Sequence, residues 1–257
     1  MREILTISPS AFVTFYKCSQ WHKWSYIDEL EPDEGTDNLY AIFGTTFHKI
    51  MELHNRFDIK LEELKSSWRV LFLTYCTDAK NLSEQPKSTI KSFIDNGYEY
   101  IDNAFEMKER WNKYKIKDIE KYVRIEYPNK YLKNVYLSGR MDLILVNSDD
   151  EYVCLDWKTA KKKETNVDSN DQLTFYLYFL SKIYQVSLES VYGALVYPYT
   201  KDILFTQRQQ EHIDLLLPKI DIMLDRISRN DIRKEPKVNF VMHDCHFCPF
   251  IKRCVRE

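Results

Sequence analysis

The stretch that most restricts how this chain folds is residues 139–158, GRMDLILVNSDDEYVCLDWK. Two apolar runs, Met141–Val146 and Tyr152–Trp157, flank the polar segment NSDDE. Alternation of β-branched and long apolar residues around a turn of Asn, Ser and Asp predicts a β-hairpin. Each arm carries an acid where apolar side chains belong, Asp142 and Asp156, and Lys158 follows. Side chains alternate along a strand, so Asp156 and Lys158 share a face if the strand persists to Lys158. A hairpin centred on Asp149 makes Asp142 the direct cross-strand neighbour of Asp156, with Cβ atoms roughly 5 Å apart. A slip of one residue would turn Asp142 to the opposite face.

Two carboxylates held that close repel one another. A hard divalent cation resolves the conflict, because Mg²⁺ takes oxygen ligands and keeps waters for a phosphate substrate. Such an ion lowers the pKa of bound water and stabilises charge on a phosphoryl oxygen. An ammonium on the same face, Lys158, would orient water or offset charge as the phosphorus becomes pentavalent. The constellation points to metal-assisted phosphodiester hydrolysis. The competing reading is an ion pair on a solvated strand end, and an Asp-x-Lys triplet by itself does not separate the two.

The flanking chain surrounds this hairpin with helices. Ser8 with Pro9 can cap a helix through Phe12 and Phe15 towards Cys18. Residues 27–38 are acidic and turn-like, and Phe43, Phe47, Ile50, Met51 and His54 then recur at helical spacing. Residues 60–80 read as an interrupted helix and 87–113 as one long helix. Strands are expected over 119–128, 131–146, 152–158 and 188–199, with a helix from about Asp168 to Tyr184 between the last two. A final long helix begins near Thr206 and contains Pro218, which predicts a kink. This order suggests an α/β protein whose mixed sheet is covered by helices. The expected organisation is a single domain over 1–257: a mostly helical region at 1–115, a sheet core at 116–200 and a C-terminal helix with a cysteine segment at 201–257. Eighteen Tyr, fourteen Phe and five Trp supply a large core, while five Gly argue against a glycine-rich nucleotide-binding architecture. A net charge of -2 does not favour nucleic acid as a partner and does not exclude it, since a local basic surface suffices.

Several segments together resemble the PD-(D/E)XK nuclease superfamily, and more closely its RecB-type branch with an iron–sulfur cluster, which includes CRISPR-associated, AddB-like and phage exonuclease relatives. They are ISPSAFVTFYKC, GTTFHKIME, GRMD, DWK, QLTFY and CHFCPFIKRC, in that order along almost the whole chain. The resemblance implies a restriction-endonuclease-like sheet with a helical N-terminal part and an iron–sulfur-stapled C-terminal segment. It implies that His48, Asp142, Asp156 and the backbone carbonyl of Trp157 hold Mg²⁺ or Mn²⁺, the imidazole suiting Mn²⁺ somewhat better. Lys158 is then the catalytic group, and Gln172 and Tyr176, four apart on one helix face, position the lysine or the DNA. Glu126 matches an upstream strand glutamate of the family. The chain departs from the pattern at Ser19, where proline is usual after the first cysteine, and at Trp157, where tyrosine or phenylalanine is common. Neither change removes a reactive group.

Cys245, Cys248 and Cys254 have the spacing C-x2-C-x5-C, and Cys18 lies near the other end of the chain. Four thiolates suit zinc or an iron–sulfur centre, and spacing does not choose between them. The resemblance implies [4Fe–4S] on these four residues, in a structural role that closes a very long loop. Cys76 and Cys154 read as core residues.

Lys161, Lys162 and Lys163 continue from Lys158 and, with Arg140, are expected phosphate contacts. The resemblance further implies an exonuclease on single-stranded DNA; the alternatives are a structure-specific or duplex endonuclease and a non-catalytic DNA-binding subunit of a recombination or repair complex. No glycine-rich ATPase loop is present, so an unwinding helicase or recombination partner would be a separate chain. No apolar run reaches transmembrane length and no secretion signal opens the sequence, which predicts an intracellular, cytoplasmic protein.

Overall fold

The computed structural model describes residues 4–33, 39–78, 86–161, 163–232, 245 and 248–256. The chain opens with strand β1 (Leu5–Ile7), helices α1 (Pro9–Lys17) and α2 (Ser19–His22), and a π-helical turn at Lys23–Ile27. Three helices follow, α3 (Leu39–Phe57), α4 (Leu61–Asp78) and α5 (Lys87–Met107). Strands β2 (Lys115–Glu126), β3 (Val135–Val146) and β4 (Tyr152–Trp157) lead to helix α6 (Asp171–Tyr184). Strands β5 (Val191–Tyr197) and β6 (Asp202–Gln207), helix α7 (Gln210–Ser228) and a short helix at Ile251–Arg256 complete the order. The result is an α/β fold with a mixed sheet. Among the described residues no helix is long and apolar enough to cross a membrane.

The chain divides into two compact units. The first comprises Met1–Thr36, Tyr122–Gly139 and Gln209–Glu257, and the second Asp37–Lys121 and Arg140–Arg208. Strands β2 and β3 pair with each other, and each runs from one unit into the other.

In the first unit β1 pairs parallel with the start of β3, Leu5 opposite Val135 and Ile7 opposite Leu137. Ser8 caps α1 by accepting from the Ala11 amide at 3.1 Å, and Pro9 stands at the first helical position. That ring gives up an N–H which would have had no partner there. Arg226 of α7 covers the Phe15 ring at 5.0 Å and donates to Ser19 Oγ at 3.2 Å.

In the second unit β3 pairs antiparallel with β4, β4 parallel with β5, and β5 antiparallel with β6. Helix α6 makes the crossover that a parallel β4–β5 pair requires. All six residues of β4 are buried, as expected for a central strand covered on both faces. Leu143, Leu145, Val153, Leu155 and Trp157 enter one apolar core with Phe43, Phe47, Trp68 and Tyr100 from the helices. Each such burial contributes roughly 2 kcal/mol. Helices α4 and α5 approach closely at Gly97, where a Cβ would lie 1.9 Å from the Trp68 ring. The indole also donates to the Ile94 carbonyl at 3.1 Å.

The structure corrects several expectations at element boundaries. Residues 5–7 and 202–207 are strands that the sequence reading left out, and the last helix therefore starts at Gln210. Three residues pairing along an existing strand, or an edge strand with a half-exposed pattern, leave little periodicity to detect. The stretch 61–78 is one uninterrupted helix, whereas that from Lys87 ends at Met107 in a 3-10 turn.

Candidate active site

The hairpin register decides what the acids can do. Leu143 faces Leu155 and Ile144 faces Cys154, so the same register carried one residue further puts Asp142 opposite Asp156. Leucines and valines alternating on β3 and β4 fill the apolar core, which sends the residues out of phase with them, including Asp156, to the other face. The Lys158 amide still donates to the Val196 carbonyl at 2.8 Å, so pairing with β5 persists to Lys158.

Three side chains converge from three elements. His48 on α3 lies with Nδ1 3.1 Å from Asp142 Oδ2. Glu120 on β2 joins them: one ligand atom from each of His48, Glu120 and Asp142 lies within 4.8 Å of the others. Among the described residues this is the one group of three or more metal-ligating side chains so close. Glu120 has φ 50°, a left-handed backbone conformation that interrupts the regular alternation of β2. The Trp157 amide donates to Asp142 Oδ2 at 2.8 Å. The Trp157 ring is buried edge-on to Phe47 and Trp111, which leaves its backbone as the part available to the site. His48, Glu120 and Asp142 line a cleft of about 480 Å³ that also includes Gly44, Lys49 and Arg140.

A second set of bonds surrounds Asp156. Lys158 Nζ lies 2.7 Å from Asp156 Oδ2 and donates to Gln172 Oε1 at 2.8 Å. Gln172 Nε2 donates to Asp156 Oδ1 at 3.0 Å and to the Tyr176 hydroxyl at 2.8 Å. An ammonium only donates, so it fixes which end of the amide faces it. The Lys158–Asp156 contact is short but poorly directed. Among the described residues Asp156 Oδ2 is buried with no aligned hydrogen bond, although the lysine is near. An oxygen in that state favours a further cation or donor.

The electrostatics agree with a deficit of positive charge. Burial pulls the His48 imidazole down, but the hydrogen bond and charge of Asp142, joined by Asp156 and Glu120, outweigh it and push its pKa up to about 9. Burial pushes Glu120 up to about 7, with Asp142 and Glu52 adding to it and His48 and Arg140 opposing. Burial likewise raises Asp156, against the pull of Lys158. Lys158 itself is held above its ordinary value, because the Asp156 carboxylate outweighs the effect of burial. Two carboxyl groups raised by burial and by the charge of Asp142, beside a histidine that the same carboxylate keeps protonated, form a donor set suited to a divalent ion.

Of the other expected residues, Arg140 lines the cleft and Glu126 does not. Glu126 is the last residue of β2, exposed, and belongs to the first unit; Glu120, six residues earlier, occupies the cluster instead. Arg140 is exposed and 4.0 Å from Glu120. Lys161 sits over the Tyr199 ring at 4.9 Å, and Lys163 pairs with Asp202 at 2.9 Å. Lys162 lies outside the described residues. The sequence reading missed Glu120 and also Arg208, a buried side chain that donates to Thr174 Oγ1 at 2.8 Å and to the carbonyls of Val167 and Asn170 at 3.0 and 3.2 Å. Asn170 caps α6, so this arginine fixes the start of the helix that carries Gln172. An acid within the β2 run was a visible signal for Glu120; nothing local distinguished Arg208.

The four cysteines of the expected quartet all belong to the first unit. Burial pushes the Cys248 thiol up to about 11, and the charges of Cys18, Cys245 and Cys254 act in the same direction, so all four share one neighbourhood. Cys18 Sγ accepts from the Trp21 amide at 3.5 Å and caps α2. The C-terminal segment is tied in by the Asp33 carboxylate, which accepts from the amides of Lys252 and Arg253 at 2.7 and 3.1 Å, and by Phe250 against Trp24. Among the described residues no three of these sulfurs lie within 4.8 Å of one another.

A mixed sheet flanked by helices, with acids and a histidine gathered at paired strands, defines a metal-associated α/β protein. The chain belongs to the PD-(D/E)XK nuclease superfamily, whose family model matches residues 6–255. A solved structure described as "Crystal structure of SSO0001" aligns over 97% of this chain and 85% of its own, at 16% identity and a TM-score of 0.44. No curated protein matches the chain.

Proposed function

We propose that this chain is a divalent-metal-dependent deoxyribonuclease that hydrolyses phosphodiester bonds of single-stranded DNA from an end. One observation carries the reading: His48, Glu120 and Asp142 converge while Asp156, opposite Asp142 on the β3–β4 hairpin, joins a network with Lys158 and Gln172. His48, Asp142, Asp156 and the Trp157 backbone, with Glu120 added, are the groups that would hold Mg²⁺ or Mn²⁺. Bound there, the ion would supply an activated water and neutralise charge on the phosphoryl oxygens. Asp156 and Gln172 hold Lys158 extended and charged, so its ammonium meets the negative charge that grows on the phosphate in the transition state. The Tyr176 hydroxyl accepts from Gln172 Nε2 and so fixes the amide that orients the lysine. Arg140 and Lys161 stand where a DNA backbone would be drawn in.

The RecB-type assignment includes an iron–sulfur cluster on Cys18, Cys245, Cys248 and Cys254. The shared environment of the four thiols supports it.

The test is digestion of end-labelled linear and circular single-stranded DNA under anaerobic conditions with Mg²⁺ or Mn²⁺. Short labelled products from the linear strand, none from the circle, and loss of both product and rate in Lys158→Ala are expected. Cleavage of the circle would favour an endonuclease. Absence of cleavage by the unaltered protein, with DNA still bound, would favour a non-catalytic subunit.

A further inference from the structure

A cavity of about 680 Å³ lies beside the candidate active site and takes no part in the chemistry proposed there. Its walls are Tyr40 and Phe43 of α3, Phe93 and Tyr100 of α5, with the Asn96 amide and Lys161 adding polar groups. The aromatic rings meet edge to face: Tyr40 with Phe93 at 5.1 Å, Phe43 with Phe93 at 6.0 Å and Phe43 with Tyr100 at 5.0 Å. The Tyr40 side chain is 71% exposed although large and aromatic, and it stands at the mouth. The volume lies within the roughly 300–1,000 Å³ range of ligand pockets.

The two cavities share helix α3, and the segment that follows Lys158 walls the aromatic one. Tyr40 and Phe43 precede Gly44 and His48 on α3, and Thr159 and Lys161 follow Lys158 in the chain. The segments touch at Gly44, where a Cβ would meet Thr159 Oγ1 at 3.2 Å, and Tyr100 donates to the Thr159 carbonyl at 3.2 Å. Along α3 the aromatic wall is five to eight residues from His48, roughly 8–12 Å at about 1.5 Å per residue. Stacked nucleotides rise about 3.4 Å each, so about three steps of strand cover that distance.

We propose that this aromatic cavity receives an unpaired nucleobase of the DNA strand whose phosphate lies at His48, Asp142 and Lys158, a role that rests on the nuclease reading above. The exposed Tyr40 ring offers its face for stacking, with the buried Phe43 and Tyr100 rings behind it, and every base has a face that satisfies such a contact. Asn96 supplies a donor and an acceptor to the base edge, and Lys161 meets the adjoining phosphate. A paired base could not enter, so the cavity selects single-stranded over duplex DNA.

The experiment measures binding of short single-stranded oligonucleotides to Lys158→Ala protein, each carrying one abasic site moved stepwise along the strand. One or two positions should weaken binding about ten-fold while the others change little. In a Lys158→Ala/Tyr40→Ala protein that position dependence should vanish, and with Tyr40→Phe it should persist, because the ring is kept. Tyr40 is exposed, so folding is expected to survive both changes, and circular dichroism checks it. A flat abasic profile, or one that Tyr40→Ala leaves intact, overturns the cavity's role. Cleavage of linear DNA by the unaltered protein is read in parallel. Cleavage with a flat profile removes the base pocket alone. A peaked profile without cleavage removes the nuclease reading and keeps the pocket. Failure to bind single-stranded DNA removes both.

Discussion

The two units build their candidate sites by opposite means. In the second, the acids sit on adjacent strands of one hairpin, and the lysine, glutamine and tyrosine are within a few turns of it. Ladder hydrogen bonds and a packed apolar face fix their positions before any ion binds. In the first, the cysteines come from the two ends of the chain, and a few contacts such as Asp33 with the Lys252 amide hold the segments together. A site on a sheet is organised by the fold; a site drawn from distant segments, as proposed for the cysteines, would help to organise it.

That contrast is open to attack from both sides. The largest expected effect is on catalysis in the second unit. Asp156→Asn should lower the cleavage rate by about 10³-fold or more while leaving thermal unfolding nearly unchanged, because removing a positioned charge acts chiefly on the transition state. A parallel collapse of stability would show that the sheet does not preorganise the site.

Cys248→Ser should behave in reverse. If the quartet binds a cluster, the substitution removes the absorption near 400 nm and costs several kcal/mol of stability, on the scale of a long-loop cross-link. Calorimetry together with the visible spectrum checks this, and a serine variant as stable as the parent would remove the structural role.

The first unit should also respond to acid. His22 is buried against Phe15 and Tyr26, and among the described residues its Nδ1 has no hydrogen-bond partner. Burial pulls its pKa down to about 4. The unfolded chain therefore binds the extra proton between about pH 6.5 and pH 4, and the folded protein does not. The stability contributed by neutral His22 is complete above about pH 6.5 and is lost as pH falls towards 4, about 3 kcal/mol in total. Urea unfolding of the native protein and His22→Phe across that range measures the difference; equal acid sensitivity would point to another group.

Smaller effects probe packing in the second unit. Gly97→Ala should destabilise it by about 1–3 kcal/mol, since the new methyl group overlaps Trp68. Tyr176→Phe removes only the acceptor of one Gln172 hydrogen bond, so a few-fold loss in cleavage rate with unchanged DNA affinity is expected. A loss as large as that of Asp156→Asn would make the hydroxyl a direct participant.

Much of the second unit was legible in the primary structure. The NSDDE turn flanked by alternating apolar residues set the hairpin register, and with it the placing of Asp142 opposite Asp156. The Gln172–Tyr176 spacing set which side chains share a helix face; in the first unit, Ser8–Pro9 marked the start of α1. The resemblance pointed to Glu126 and passed over Glu120, which lies six residues earlier on β2 and shares its parity. The left-handed backbone at Glu120 and the unit to which each glutamate belongs leave no trace in local pattern.

The amino-acid sequence by itself determined the central strands, most of the helices and the pairing of the two acids, since these follow from short-range periodicity and turn chemistry; the short strand at Leu5–Ile7 and the edge strand at Asp202–Gln207 did not show in it. Tertiary structure alone decided that His48, from a helix far earlier in the chain, meets Asp142, that Glu120 joins them, and that Arg208 is buried under the start of α6. Such meetings depend on how apolar faces pack across long separations, which no local window of residues contains.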